Sequence, residues 1–193
     1  MAPYFDGIDL TASIARIGPI FQVAWVPQNF EAALDYWLRV MGVGPFFIME
    51  HIPMRDTEYY GQQTPVDMTV ANSFWGNVQI ELVRQHNADT TIYTTWRDSG
   101  QRGPHHMAIA APDLAAAQAR IEGAGGVIAQ RGVVPGACEY WYYDLGGTGP
   151  YIEIGRANAT FRNIHDQMKA AAGQWDGRDP VRYISASEYA VER

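Results

Sequence analysis

The chain has 193 residues, 14 Lys and Arg against 21 Asp and Glu, a formal charge of −7 and 47% apolar residues. That size suits one large globular domain or two small modules whose core needs no disulfide or structural metal. The single Cys138 excludes an intrachain disulfide and a multi-thiolate zinc site, the acidic balance argues against a nucleic-acid partner, and no apolar run approaches the roughly 20 residues that span a bilayer.

Residues 1–16 read as an arm. Their start, MAPYFDGIDLTAS, has neither a basic nor an apolar signal-peptide region, so a cytoplasmic protein is expected. Residues 17–26 (IGPIFQVAWV) predict a strand. Asn29 then caps a helix over 29–41 that closes at Gly42, with Phe30, Ala33, Leu34, Trp37 and Met41 on its apolar face. Strand-like runs follow at 45–52, 66–74 and 77–84, and the polar stretch 85–102 reads as a linker. The pattern then restarts. A strand is expected over 103–111, a helix from Asp113 over 113–124 closed by Gly125 and Gly126, and strands at 126–134, 137–144 and 150–156. Residues 157–193 add a helix near 160–172 and a tail. Phe161, Ile164 and Met168 form one stripe of that helix, which is expected to dock on the outer surface of the sheet or on a second subunit.

Both halves, 17–84 and 103–156, therefore read βαβββ, and they match at residue level. QVAWVPQNFEAA (22–33) lies over HMAIAAPDLAAA (106–117), and VQIELV (78–83) over PYIEIG (150–155). The lengths differ only in loops, where a change costs little. The fold expected is α+β, a pair of tandem βαβββ modules forming an open, cup-like mixed sheet with an added C-terminal helix.

This repeat sets four polar residues at equivalent places. Gln22 and His106 lie on the first strand of each half, and Glu81 and Glu153 on the last. All four sit within apolar runs, where a charge must be paired or bound to a metal. Strand alternation puts Gln22 on a face with Ala24 and Val26, and His106 with Ala108 and Ala110, small residues suited to a cavity lining. Phe21, Val23 and Trp25 should then pack under the helices. An amide oxygen, an imidazole and two carboxylates suit one divalent ion, Zn, Ni, Co, Mn or Fe, with no choice among them. His105 is expected on the opposite face in a structural or supporting role, and His51, His86 and His165 at the surface.

On the segments GPHHMAIAAPDLAAA, NVQIELV, PYIEI and FEAALDYWLRVMGVGPF, the chain over about 17–156 resembles the vicinal oxygen chelate superfamily of glyoxalases, bleomycin-resistance proteins and extradiol dioxygenases. Its glyoxalase I-like and methylmalonyl-CoA epimerase-like members are the most similar. The resemblance implies two βαβββ modules around a metal, with Gln22, Glu81, His106 and Glu153 as its ligands. A homodimer is also implied, and sites in this superfamily are built from one chain or from two. Gln22 stands where a two-His, one-carboxylate iron site would need its first His.

The function expected is that of a metal-dependent lyase or isomerase, removing a proton next to a carbonyl through a metal-stabilised enediolate. Glu153 is the first choice of base, with Glu81 able to act from the other side. The single Lys169 and scattered Arg argue against an anionic carrier such as glutathione, whereas ACEYWYYDL (137–145) is rich in rings. Tyr140, Tyr142, Phe47 and Met49 are therefore expected to line a site for a small apolar or aromatic carbonyl compound. The alternatives are an Fe(II) extradiol-type dioxygenase and a metal-free protein that sequesters a small molecule.

Overall fold

The computed structural model describes residues 10, 11, 13–147 and 149–185, so most of the expected N-terminal arm and the end of the tail lie outside the described residues. The chain begins its sheet with β1 (Ile20–Trp25). Asn29 accepts the Ala32 amide at 2.9 Å and starts α1 (Phe30–Asp35), which runs on as a π turn, Tyr36–Val40. Gly42, at φ +65°, ends this segment in the left-handed conformation that glycine adopts without strain. Then come β2 (Phe46–Met49), a small hairpin of β3 (Arg55–Tyr59) and β4 (Gln62–Gln63) absent from the sequence reading, and the long hairpin β5 (Met68–Trp75) and β6 (Val78–Gln85).

Residues 85–102 are more than a linker, because they fold α2 (Ile92–Asp98) on a Thr91 capping box. The second half supplies β7 (His106–Ile109), α3 (Leu114–Gly123), β8 (Val127–Val134), β9 (Cys138–Asp144) and β10 (Tyr151–Ala157). α4 (Ala159–Gly173) and a short β11 (Val181–Tyr183) follow. The eleven strands form one mixed sheet in the order β11-β2-β5-β6-β1-β7-β10-β9-β8-β3-β4. The architecture is α+β with an added C-terminal helix.

The junction of the two halves lies at the centre of this sheet. β1 runs antiparallel to β7, with Gln22 opposite Ala108 and Ala24 opposite His106. β6 runs parallel to β1 on one side, and β10 parallel to β7 on the other. Because side chains alternate across a strand, this register decides which residues share a face. One face carries Trp25, Ile48, Ala71, Ile80 and Leu82 against α1, and Ile109, Tyr143, Ile152 and Ile154 against α3. The other carries Gln22, Glu81, His106 and Glu153 together with Met49, Val70, Phe74, Tyr140 and Tyr142.

α4 packs on that second face. Its stripe of Phe161, Ile164 and Met168, extended by Ala172, joins Met49, Val70, Phe74 and Tyr140 in one apolar cluster. Docking on the outer surface of the sheet is thus corrected: the stripe covers the very face on which the four polar residues stand. Burying Met168 alone contributes about 1.5–3 kcal/mol to that docking. Phe21 is a second correction. The β1–β7 register slips between Ile20 and Gln22, and the Phe21 ring lies 5.8 Å from that of His165 on α4, on the side away from α1. Among the described residues no helix is long and apolar enough to cross a membrane.

Candidate metal centre and the cavity beside it

The central strands bring three of the four polar residues into direct contact. His106 Nε2 lies 3.2 Å from Glu81 Oε2 and 3.2 Å from Glu153 Oε2. The imidazole is wholly buried, and Glu81 nearly so. Although Nε2 is close to both carboxylates, it closes a hydrogen bond with neither and is left without a partner. Gln22 stands two residues along β1 from the strand position opposite His106, and its Nε2 donates to Gln79 Oε1 at 2.7 Å, which leaves its own carbonyl oxygen as an acceptor.

Burial works against charge here, and the partners work for it. Desolvation pushes the Glu81 carboxyl above the usual range, with His106 pulling the other way. Burial disfavours a charged His106, but the contacts to Glu153 and Glu81 outweigh it and raise that pKa to about 9. A buried imidazole set against two carboxylates is a donor set that could exchange its proton for a divalent cation. Adjacent ligands around an ion with bonds of about 2.1 Å stand roughly 3.0–3.4 Å apart, which the two 3.2 Å spacings match.

Behind the centre, His105 is fully buried. Its Nδ1 lies 2.8 Å from His106 Nδ1, and its Nε2 is 3.3 Å from the Ile92 carbonyl of α2. Rings of Tyr93, Trp96 and Tyr151 pack around it at 5.2–5.3 Å. Burial and the neighbouring His106 hold its pKa well below the usual histidine range. Tyr142 packs its ring 4.9 Å from His106 and takes a hydrogen bond from Tyr93 at 3.2 Å.

A cavity of about 100 Å³ opens between this centre and α4. Gln22, Glu81 and Glu153 line its polar end, and Met49, Tyr140 and Tyr142 its walls, with Met54, Met68, Phe161 and Met168. Phe47 is not in the lining. It packs against the same cluster, with the Arg182 guanidinium of β11 5.6 Å above its ring. Gln22, Gln79, Glu153 and His165 also border a wider groove of about 880 Å³.

Asn72, Gln79, Tyr93 and His165 are among the lining residues that escaped the sequence reading. Asn72 and Gln79 are polar residues in apolar strands, and Gln79 lies two positions from Glu81, so strict alternation would have found it. Tyr93 comes from the supposed linker and His165 from the C-terminal helix, and nothing local in the sequence ties either to the centre. His165, expected at the surface, is half-buried and faces the cavity.

A second group could also hold a divalent ion. His51, Asp67 and His86 offer ligand atoms within 4.8 Å of one another beside the ends of β2, β5 and β6, where both histidines are exposed. His51 Nδ1 is 2.7 Å from Asp67, and His86 Nε2 is 2.7 Å from Thr69 Oγ1. The two rings are stacked, with centroids 4.6 Å apart and an angle of 26° between their planes. Lone pairs lie in the ring planes, so rings this nearly parallel converge on one ion only after one of them turns.

A sequence profile described as the Glyoxalase/Bleomycin resistance protein/Dioxygenase superfamily matches residues 21–143. The match covers more than half of the chain, and the protein belongs to that superfamily. Membership, together with the cluster of His51, Asp67 and His86, is consistent with metal-dependent catalysis. No curated protein matches the chain. Gln22, Glu81 and His106 fall within the matched span, whereas Glu153 and all of α4 fall beyond it.

Proposed function

We propose that Gln22, Glu81, His106 and Glu153 hold one divalent ion, Zn, Ni, Co, Mn or Fe, and that the protein is a metal-dependent lyase or isomerase. It would take a proton from the carbon beside a carbonyl in a small apolar or aromatic substrate. The strand order supports reading 17–84 and 103–156 as two βαβββ halves joined at β1 and β7, with the ligands on the first and last strands of each half. The observation that carries the proposal is the buried His106 Nε2, unpartnered and 3.2 Å from both carboxylates.

A bound divalent ion would act as a Lewis acid toward a substrate carbonyl oxygen, making the neighbouring C–H acidic enough to lose its proton near neutral pH. The protein's own groups supply the rest. Glu153 borders both the cavity and the groove, so it meets an entering substrate first and is the base of choice. Glu81 is more deeply buried, and its raised pKa suits it to hold or return a proton from the other side. Tyr140, Tyr142 and the methionines hold the apolar part of the substrate and exclude water from the developing charge. The absence of Arg and Lys among the described residues lining the cavity favours an uncharged substrate body.

Elemental analysis and exchange of substrate C–H into deuterated water test this reading. Wild-type protein should carry about one ion per chain at this centre. His86→Ala should keep it, and His106→Ala should lose it. Glu153→Gln should slow exchange by roughly 10²–10⁴-fold, with metal content measured on the same sample to separate the base from the ligand. Retention of the ion in His106→Ala overturns the proposal.

A further inference from the structure

We propose that His51, Asp67 and His86 bind a second divalent ion, of the zinc kind, and that this ion fixes the connector 50–54 in place as a wall of the cavity. The inference goes beyond the metal-centred reading above and does not depend on it, because none of the three residues is a ligand proposed there.

The connector joins distant parts of the sheet. The chain leaves β2 at Met49 and enters β3 at Arg55, and the strand order sets those two strands near opposite ends of the sheet. On the way, Ile52, Pro53 and Met54 line the cavity. The Ile52 amide donates to the Met68 carbonyl at 3.0 Å, at the start of β5. His51 is the ligand that the connector itself carries, and its side chain is 65% exposed.

The other two ligands stand on a firm base. The His86 amide donates to the Asp67 carbonyl at 2.7 Å, next to the Met68–Gln85 pair that ends the β5–β6 hairpin. The Asp67 amide donates to Asn87 Oδ1 at 3.0 Å, and Asn87 Nδ2 donates to the Pro65 carbonyl at 2.9 Å. Thr69 Oγ1, 2.7 Å from His86 Nε2, steadies that ring. An ion held by all three residues therefore ties the connector to the hairpin.

Two imidazoles and one carboxylate suit Zn, Ni or Cu rather than Ca or Mg. Zinc imposes no geometry of its own and accepts three protein ligands with water in the fourth place. Ligands of a tetrahedral ion stand about 3.3 Å apart, so atoms within 4.8 Å of one another need close by no more than about 1.5 Å. His51 Nδ1 and Asp67 Oδ1, at 2.7 Å, must instead part slightly. Turning the exposed His51 ring parts that pair and unstacks it from His86, which lets its lone pair aim at the ion. The complete ligand set exists only while the connector is docked, so a bound ion opposes its opening.

Zinc alone is the probe, added to the full-length protein. In the wild type the side-chain resonances of His51 and His86 should move together and saturate at micromolar zinc. With zinc at about 100 times its dissociation constant, hydrogen exchange at the Ile52 amide should slow by about 10- to 100-fold. His51→Gln and His86→Gln should each lose both effects, and both should fold, because the two side chains are exposed. Any slowing that comes from an ion at the central site persists in these variants and is thereby subtracted. Resonances that zinc leaves unmoved, zinc binding at these residues that survives in both variants, or binding that leaves Ile52 exchange unchanged overturns the proposal.

Discussion

His105 Nδ1 lies 2.8 Å from His106 Nδ1, and that contact fixes which nitrogen of His106 faces the two carboxylates. The Ile92 carbonyl can only accept, so His105 carries its proton on Nε2. Burial keeps His105 neutral, its bare Nδ1 accepts, and His106 must donate from Nδ1. Nε2 of His106 then faces Glu81 and Glu153, and it is the nitrogen that offers a lone pair once the second proton leaves. His105 thus orients the proposed ligand His106. His105→Phe should weaken metal binding about 10–100-fold, read by competition with a chelator, while the apolar pocket of Tyr93 and Trp96 still accepts the ring. Unchanged affinity in that variant would remove His105 from the support of the site.

The cavity wall depends on a glycine. A Cβ added at Gly132 would meet Tyr140 Oη at 2.4 Å and Thr57 Oγ1 at 3.0 Å. Tyr140 would have to swing away from its place beside Tyr142. Gly132→Ala should therefore destabilise the protein by about 1–3 kcal/mol, measured by urea unfolding, and weaken binding of an aromatic probe. A variant as stable as wild type would mean that Tyr140 moves at no cost.

α2 is held by the residue that caps it. Thr91 Oγ1 accepts the amides of Tyr93 and Thr94, and the Thr94 hydroxyl accepts the Thr91 amide at 3.0 Å. Thr91 also donates to Gln85 Oε1 at 2.5 Å, fully buried. Thr91→Ala should cost about 1–2 kcal/mol, and Thr91→Ser should recover most of it. Because α2 carries Tyr93 and the Ile92 carbonyl, the same variant should loosen the tyrosine pair behind His106, seen as a change in near-ultraviolet circular dichroism.

Acid should weaken the fold through its buried histidines. Burial holds His105 and His165 below the usual range, so each stays neutral in the fold where the unfolded chain takes up a proton near pH 6.5. The unfolded state then binds more protons, and stability falls as the pH drops below about 6.5. His106 has the opposite sign in metal-free protein. Its contribution is complete below about 6.5 and is lost as the pH rises through about 9. Between pH 6.5 and 5, the urea midpoint of His165→Phe should decline less steeply than that of wild type, by up to about 1 kcal/mol per pH unit. Identical slopes would mean that His165 protonates freely in the fold.

The sequence by itself determined what is local or repeated. Period-two alternation marked most of the strands, and Asn29 and Asp113 announced their helices by accepting the third amide onward. The matching places of Gln22 with His106 and of Glu81 with Glu153 in the two segments singled out four polar residues, because a charge within an apolar run is conspicuous in the sequence itself. The hairpin of β3 and β4 was missed, since its RDTEY and QQ segments are polar edge strands without an apolar alternation to read.

Only the tertiary structure decided what covers the site. The stripe of Phe161, Ile164 and Met168 is equally apolar whichever face of the sheet it meets, and choosing the face depends on how the chain returns from β10 across β5. The same return turns His165 inward and brings Tyr93 from a polar-looking stretch to the wall behind His106. Such contacts join residues dozens of positions apart, where helix and strand periodicity carry no information about the partner, so the fold alone could supply them.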